Sequence, residues 1–149
     1  MAKALPASEL QPDSATAAAA DPPAILVVDD DKWARQTLRL MLQRAGFTVF
    51  AAASGRQALK SFQERPIAVV VTDIMMPSMD GLRLTRELLA LQPGVCVVAI
   101  SGAEIRLEIA RQIGAKAVLR KPVSRAELVQ ILRLLTSQLV NADTEPVPG

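Results

Sequence analysis

The chain has 149 residues, half of them hydrophobic, with 17 basic and 15 acidic side chains, no histidine and one cysteine. The length is that of one ordinary domain, and no apolar run approaches the ~20 residues that a membrane span needs. The sequence therefore excludes histidine-based catalysis and an internal disulfide, and we expect one domain that works in the cytoplasm without membrane contact.

Five short, β-branched runs predict strands. Each run is bounded by turn signals and is separated from the next by a longer segment with helical spacing. In chain order the runs extend from Ala24 to Val28, Phe47 to Ala51, Ile67 to Thr72, Val95 to Ile100 and Lys116 to Leu119.

The intervening segments predict amphipathic helices. Gly46 and Gly114 follow two of them, where a left-handed residue often ends a helix. Apolar residues recur at helical spacing in the first segment (Leu38, Met41, Leu42, Ala45) and in the last (Leu128, Ile131, Leu132, Leu135, Leu139). Strands that are apolar throughout indicate burial on both faces. We therefore predict an α/β fold, a five-stranded parallel sheet with helices on both faces, doubly wound and flavodoxin-like.

The two ends of the chain have a different composition. Residues 1–23 are rich in alanine, proline, serine and aspartate without apolar periodicity, and the last ten residues are similar. We predict a disordered tail over 1–23, one domain over 24–139 and a flexible tail over 140–149.

Polar side chains follow four of the predicted strands. Asp29 and Asp30 come after the first strand, Asp73 after the third, Ser101 after the fourth, and Lys121 just beyond the fifth. Because the carboxyl ends of parallel strands meet at one edge of the sheet, we expect these residues to share one site.

Three clustered acids require a cation. Two carboxylates ~4 Å apart repel each other by about 4 kcal/mol at an effective dielectric constant of 20. Lys121 supplies only one positive charge, and Mg²⁺ prefers oxygen ligands of this kind. An aspartate nucleophile, a divalent cation, a hydroxyl and a lysine together predict a site for phosphoryl transfer.

Four segments, ILVVDDD, VVVTDIMMPSMDG, AISG and VLRKPV, resemble in their order and spacing the receiver domain of bacterial two-component response regulators. The resemblance covers Ala24 to Leu139. It implies that Asp73 accepts a phosphoryl group from the phosphohistidine of a sensor histidine kinase or a histidine phosphotransfer protein. It also implies that Asp30, Asp73 and the carbonyl of Met75 ligate Mg²⁺, with Asp29 acting largely through water.

The same resemblance assigns Ser101 and Lys121 to the phosphoryl oxygens and implies a cis peptide between Lys121 and Pro122. Several features depart from the family pattern, among them a shorter segment between Ser101 and Lys121. Val118 stands where a tyrosine or phenylalanine usually acts as a rotating switch. Met75 and Ala103 occupy the positions that flank the attacking water, and since neither side chain is polar, we expect the acyl phosphate to hydrolyse slowly.

The resemblance implies a stand-alone receiver that binds a downstream protein through its fourth and fifth helices, rather than an enzyme that turns over a metabolite. Between Arg106 and Arg133 there are seven basic and two acidic residues, which indicates either a solvated face or a surface for an acidic partner. The sequence has no helix-turn-helix pattern, and the basic residues of this segment lack the interleaved aromatic residues of a stacking platform, so we expect no direct contact with nucleic acid.

Two alternatives remain at this stage. One is a Mg²⁺-dependent phosphohydrolase of the haloacid-dehalogenase type, with Asp29 as nucleophile and Asp31 as second acid, although Trp33 stands where that family has threonine. The other is a receiver fold that serves as an adaptor and is not phosphorylated. Asp31 by itself also fits a helix N-cap, and we expect Trp33 to be half-buried near the site.

Overall fold

The computed structural model describes residues 23–144, and over this range five strands and five helices alternate. The elements are β1 (Ala24–Val28), α1 (Lys32–Arg44), β2 (Thr48–Ala52), α2 (Gly55–Glu64), β3 (Ile67–Asp73), α3 (Gly81–Leu91), β4 (Cys96–Ser101), α4 (Glu104–Ile113), β5 (Ala117–Arg120) and α5 (Arg125–Thr144). Each strand begins and ends within one residue of its predicted position.

The strands form one parallel sheet in the order β2-β1-β3-β4-β5. The predicted doubly wound α/β fold is confirmed. The direction in which strands are added reverses between β1 and β3, and in folds of this kind ligands bind in the crevice outside the strand ends at that point. The fold thus places the ends of β1 and β3 side by side.

Both faces of the sheet are covered, which explains the continuously apolar strands. Successive side chains of a strand point to opposite faces, so a strand covered on both sides must be apolar at every position. On one face β1 packs with α1 and α5, through residues including Ile25, Val27, Leu42, Leu128 and Leu132. On the other face it packs with α2 and α3, through residues including Leu26, Val28, Phe62, Leu84 and Leu88.

Local signals define several helix ends. The side chains of Asp31, Ser54 and Asp80 each accept a hydrogen bond from a backbone amide in the first turn of α1, α2 and α3, satisfying a donor that the helix itself leaves free. Gly46 and Gly114 have φ values of 101° and 133°, so both glycines adopt the positive φ predicted for them.

The last helix runs through Thr144, past the predicted boundary at 139. The predicted tail over 1–23 lies outside the described residues except for Pro23, and so does the segment 145–149. Among the helices within residues 23–144, none combines the length and the hydropathy required to cross a bilayer.

Candidate functional site

Three aspartates meet where β1 and β3 end. Asp29 directly follows β1 and Asp73 is the last residue of β3, and the two strands are neighbours with Val28 paired to Thr72. Asp29 and Asp73 are buried, whereas Asp30 is exposed. One carboxylate oxygen from each acid lies within 4.8 Å of one from the other two. The predicted acidic cluster therefore forms.

Lys121 approaches this cluster from the turn between β5 and α5. Its Nζ lies 3.1 Å from Asp73 Oδ1, a buried oxygen. The separation is that of an ion pair, but the direction does not give a hydrogen bond, and among the described residues this oxygen has no hydrogen-bond partner. Because leaving a buried carboxylate oxygen without a partner is costly, Asp73 Oδ1 is suited to a further positive ligand.

Burial is the main reason that the pKa of the Asp29 carboxyl is raised above its ordinary value of 3.8. The nearby charges of Asp73 and Asp30 raise it further, whereas the hydrogen bond from the Asp31 amide and the charge of Lys121 oppose the rise. Burial and the two neighbouring acids therefore disfavour the charged form of Asp29 in the folded chain.

The loop after β1 separates the roles of its three acids. The Asp31 amide donates to Asp29 Oδ1 at 2.9 Å, while the Asp31 side chain accepts a hydrogen bond from the Trp33 amide at 3.1 Å. Asp31 is thus an N-cap of α1, as its sequence position suggested. Trp33 is 75% exposed, so the expectation that it is half-buried was wrong. The reason is that it lies on the solvent side of the first turn of α1.

Ser101 and Met75 lie at the same edge of the sheet. Ser101 is the buried last residue of β4, and its Oγ accepts a hydrogen bond from the Ala103 amide at 3.1 Å. The Lys121 amide donates to the Ser101 carbonyl at 3.0 Å, so the backbones of these two residues are directly hydrogen-bonded. Met75 is exposed, two residues beyond Asp73 in the loop after β3. The Lys121-Pro122 peptide is cis, as the resemblance implied.

Sequence reasoning did not foresee the groove beside the acids. A cavity of about 540 Å³ runs from Asp29 and Asp73 along α1 to the β5–α5 turn, and its other lining residues are Ala34, Thr37, Leu38, Met41, Ile100, Lys121, Pro122 and Val123. Its walls come from segments far apart in the chain, so no local pattern indicates it.

A second feature missed from sequence is Arg35, which contacts the backbone of Asp29. An arginine at the end of the first turn of a helix that follows an acidic loop could have been a signal, because helical side chains tilt toward the N-terminus.

Comparison with known proteins decides the family. The family model of the response regulator receiver domain matches residues 25–133, most of the chain. The chain belongs to the response regulator receiver family. Receiver domains accept a phosphoryl group in two-component signalling and bind Mg²⁺ at an acidic pocket, and the aspartate cluster lies where such a pocket is expected.

The relatives of this receiver include regulators and solved receiver domains. It is 37% identical over 113 residues to the C4-dicarboxylate transport transcriptional regulatory protein DctD of Rhizobium meliloti, an alignment that covers 74% of this chain and 25% of that protein. The chain thus spans about a quarter of the length of that relative.

Two solved structures share the fold over nearly their whole length. A response regulator receiver domain protein from Clostridium thermocellum is 29% identical, with a TM-score of 0.74 over 78% of this chain and 95% of that one. The chemotaxis protein CheY4 of Vibrio cholerae is 26% identical, with a TM-score of 0.72 over 77% and 99%.

Proposed function

We propose that Asp73 is the phosphoacceptor and takes a phosphoryl group from the phosphohistidine of a sensor histidine kinase or a histidine phosphotransfer protein. The observation that carries this proposal is the meeting of three carboxylates from two strand ends, with Lys121 Nζ 3.1 Å from Asp73 Oδ1. Both charge types that a transferring phosphoryl group requires are therefore at one place.

The residues present fit a magnesium ion. Asp29, Asp30, Asp73 and the backbone carbonyl of Met75 would hold it, all with the hard oxygen donors that Mg²⁺ prefers. Asp73 Oδ1 is buried and has no hydrogen-bond partner in the described part of the chain, which leaves it free for a metal or a phosphorus centre. When bound, the ion neutralises the acids and the charge of the phosphoryl oxygens.

In the proposed step, an Asp73 carboxylate oxygen attacks the phosphorus atom. A P–O bond forms, the P–N bond to the donor imidazole breaks, and the released histidine nitrogen keeps the electron pair and takes up a proton. Lys121 holds one phosphoryl oxygen by its positive charge, and the Ser101 hydroxyl donates to another. The product is an acyl phosphate on Asp73.

The output of this step is a change in protein binding. Acyl-phosphate formation draws Ser101 and the short loop before α4 toward the site. The fourth and fifth helices carry the exposed apolar side chains Ile105 and Leu134, which a downstream protein could cover. We infer that the partner is a protein, with no direct contact to nucleic acid or membrane, and that the domain works in the cytoplasm.

The position of Asp31 argues against the phosphohydrolase alternative. That mechanism would use Asp31 beside Asp29, but Asp31 is exposed and caps α1. The adaptor alternative draws support from Val118 in the switch position, although a buried carboxylate beside a lysine is costly to keep for structure alone.

Mass spectrometry after incubation with acetyl phosphate and Mg²⁺ tests the proposal. The wild type should gain the mass of one phosphoryl group, the gain should require Mg²⁺, and both Asp73→Ala and the isosteric Asp73→Asn should abolish it. Asp80→Asn, which keeps its helix cap, should behave as the wild type. An unmodified wild type would favour the adaptor, and steady release of phosphate from an aryl phosphate would favour the hydrolase.

A further inference from the structure

Arg35 ties helix α1 to the loop that carries the acids. Its Nη1 donates a hydrogen bond of 2.8 Å to the carbonyl oxygen of Asp29, six residues earlier. The Arg35 amide itself donates to the Asp31 carbonyl at 2.9 Å, which places this residue at the close of the first turn. Because helical side chains tilt toward the N-terminus, an arginine at this position reaches back over the turn to the loop.

Together with two other hydrogen bonds, this contact holds Asp29 in place. Its amide donates to the Ala52 carbonyl of β2 at 3.2 Å, and its Oδ1 accepts from the Asp31 amide at 2.9 Å. Arg35 binds the remaining backbone group of Asp29, the carbonyl oxygen, which belongs to the peptide that joins Asp29 to Asp30. Rotation of this peptide would swing the exposed Asp30 carboxylate relative to the buried acids, so the guanidinium fixes the direction in which Asp30 points.

We propose that Arg35 is a positioning residue of the magnesium site. The inference rests on the proposed function, because it assigns Arg35 to the ion that Asp29, Asp30 and Asp73 would hold. Arg35 acts through the Asp29 carbonyl and touches none of the reacting atoms. Its guanidinium donates a strong, directed hydrogen bond at a partly buried position.

Magnesium binding measured by isothermal titration calorimetry tests the role of Arg35 without any phosphorylation. Arg35→Met keeps an apolar stem but removes the donor, and we expect it to bind Mg²⁺ about tenfold more weakly, the loss typical when a group that orients metal ligands is removed. Arg35→Lys retains a charged donor and should recover most of the affinity.

The matched control is Arg39→Met, which removes an exposed arginine one turn further along the same helix and should leave Mg²⁺ affinity unchanged. Equal affinities of Arg35→Met and Arg39→Met would overturn the proposal. So would an Arg35→Lys variant as weak as Arg35→Met, because the role assigned to Arg35 is that of a hydrogen-bond donor.

Phosphorylation kinetics separate positioning from general damage. With acetyl phosphate as donor, Arg35→Met should need more Mg²⁺ for half-maximal rate, while its rate at saturating Mg²⁺ stays within about twofold of the wild type. A lower plateau with an unchanged Mg²⁺ requirement would contradict the proposal. If the wild type binds Mg²⁺ but is never phosphorylated, the proposed function fails, while the calorimetric comparison still decides the role of Arg35.

Discussion

Gly81 shows how closely the backbone around Asp73 is packed. It is the first residue of α3, and its amide donates to the Ile74 carbonyl at 2.8 Å. A Cβ atom at this position would collide with the carbonyl oxygen of Asp73 and would lie 2.7 Å from the Ile74 Cα. These obstacles are backbone atoms of Asp73 and Ile74, so they have no flexible end that could move aside.

We therefore expect Gly81→Ala to lower the free energy of unfolding by about 1–3 kcal/mol, the usual cost of overpacking. It should also slow phosphorylation of Asp73 by acetyl phosphate, since Asp73 must shift to relieve the collision. Urea unfolding and the mass-spectrometric assay measure the two effects. Gly94→Ala is the control, because a Cβ there meets nothing within 4 Å. Equal effects of the two substitutions would refute this account.

Met75 is one of the two residues that the resemblance to receiver domains places beside the attacking water. It is 53% exposed and carries no group that could orient a water molecule toward phosphorus. Ala103, which the same resemblance places on the other side of that water, is equally apolar. A polar side chain at either position could supply the missing hydrogen bond.

We expect phospho-Asp73 to persist for minutes or longer, since hydrolysis of the acyl phosphate is slow when no side chain orients the attacking water. Met75→Asn should shorten that lifetime, while Met75→Leu, which stays apolar, should not. Loss of the added mass with time after removal of acetyl phosphate gives the rate. A lifetime of seconds in the isolated wild type would show that another group orients the water.

Among the elements, α4 begins close to Ser101. Only Gly102 and Ala103 separate the end of β4 from α4, and Val118 of β5 packs against the small apolar cluster beneath that helix. Val118 is too short to act as a rotating aromatic. Movement of Ser101 can instead reach α4 through this two-residue connection.

NMR spectra of the backbone amides, recorded with and without beryllofluoride and Mg²⁺, test transmission from Ser101 to α4. We expect signals in α4 and α5 to shift as well as those at the site, because Lys121 and Ser101 are joined backbone to backbone at 3.0 Å. Asp73→Asn should show no such change with beryllofluoride. Shifts confined to the site in the wild type would contradict transmission to these helices.

For the whole molecule, the acidic site costs stability when no metal is present. The pKa of Asp29 is raised in the folded chain, mainly by burial. The folded state therefore holds this proton more tightly than the unfolded state. In metal-free buffer this contribution favours folding below the unfolded pKa and is lost as pH rises through the raised folded value.

Asp29→Asn should accordingly unfold at a higher temperature than the wild type at pH 7 in EDTA, with the difference shrinking as the pH falls toward 4. Added Mg²⁺ should raise the unfolding temperature of the wild type more than that of the variant, by linkage to a bound ligand. Differential scanning calorimetry in EDTA and in Mg²⁺ measures these unfolding temperatures. Asp31→Asn removes a neighbouring charge but keeps its cap, and if it stabilised the chain equally, burial of Asp29 would not be the cause.

Local information was sufficient for the fold and for the placing of the acids. The apolar runs set the strands, and their continuous hydrophobicity indicated cover on both faces. A parallel sheet then obliges residues such as Asp29 and Asp73 to lie at the same edge, whatever the details of packing. The resemblance of the motifs to receiver domains added the proposed role of each residue, which the phosphorylation experiments address.

Packing decided what the sequence left open. The exposure of Trp33, the hydrogen bond from Arg35 to Asp29 and the groove between α1 and the β5–α5 turn all depend on how separate segments lie against one another. Strand and helix periodicity is a property of neighbours in the chain, so it can be read directly from residue order. The reach of a side chain and the shape of a crevice arise between segments that are distant in the chain, and only the tertiary structure fixes their separation.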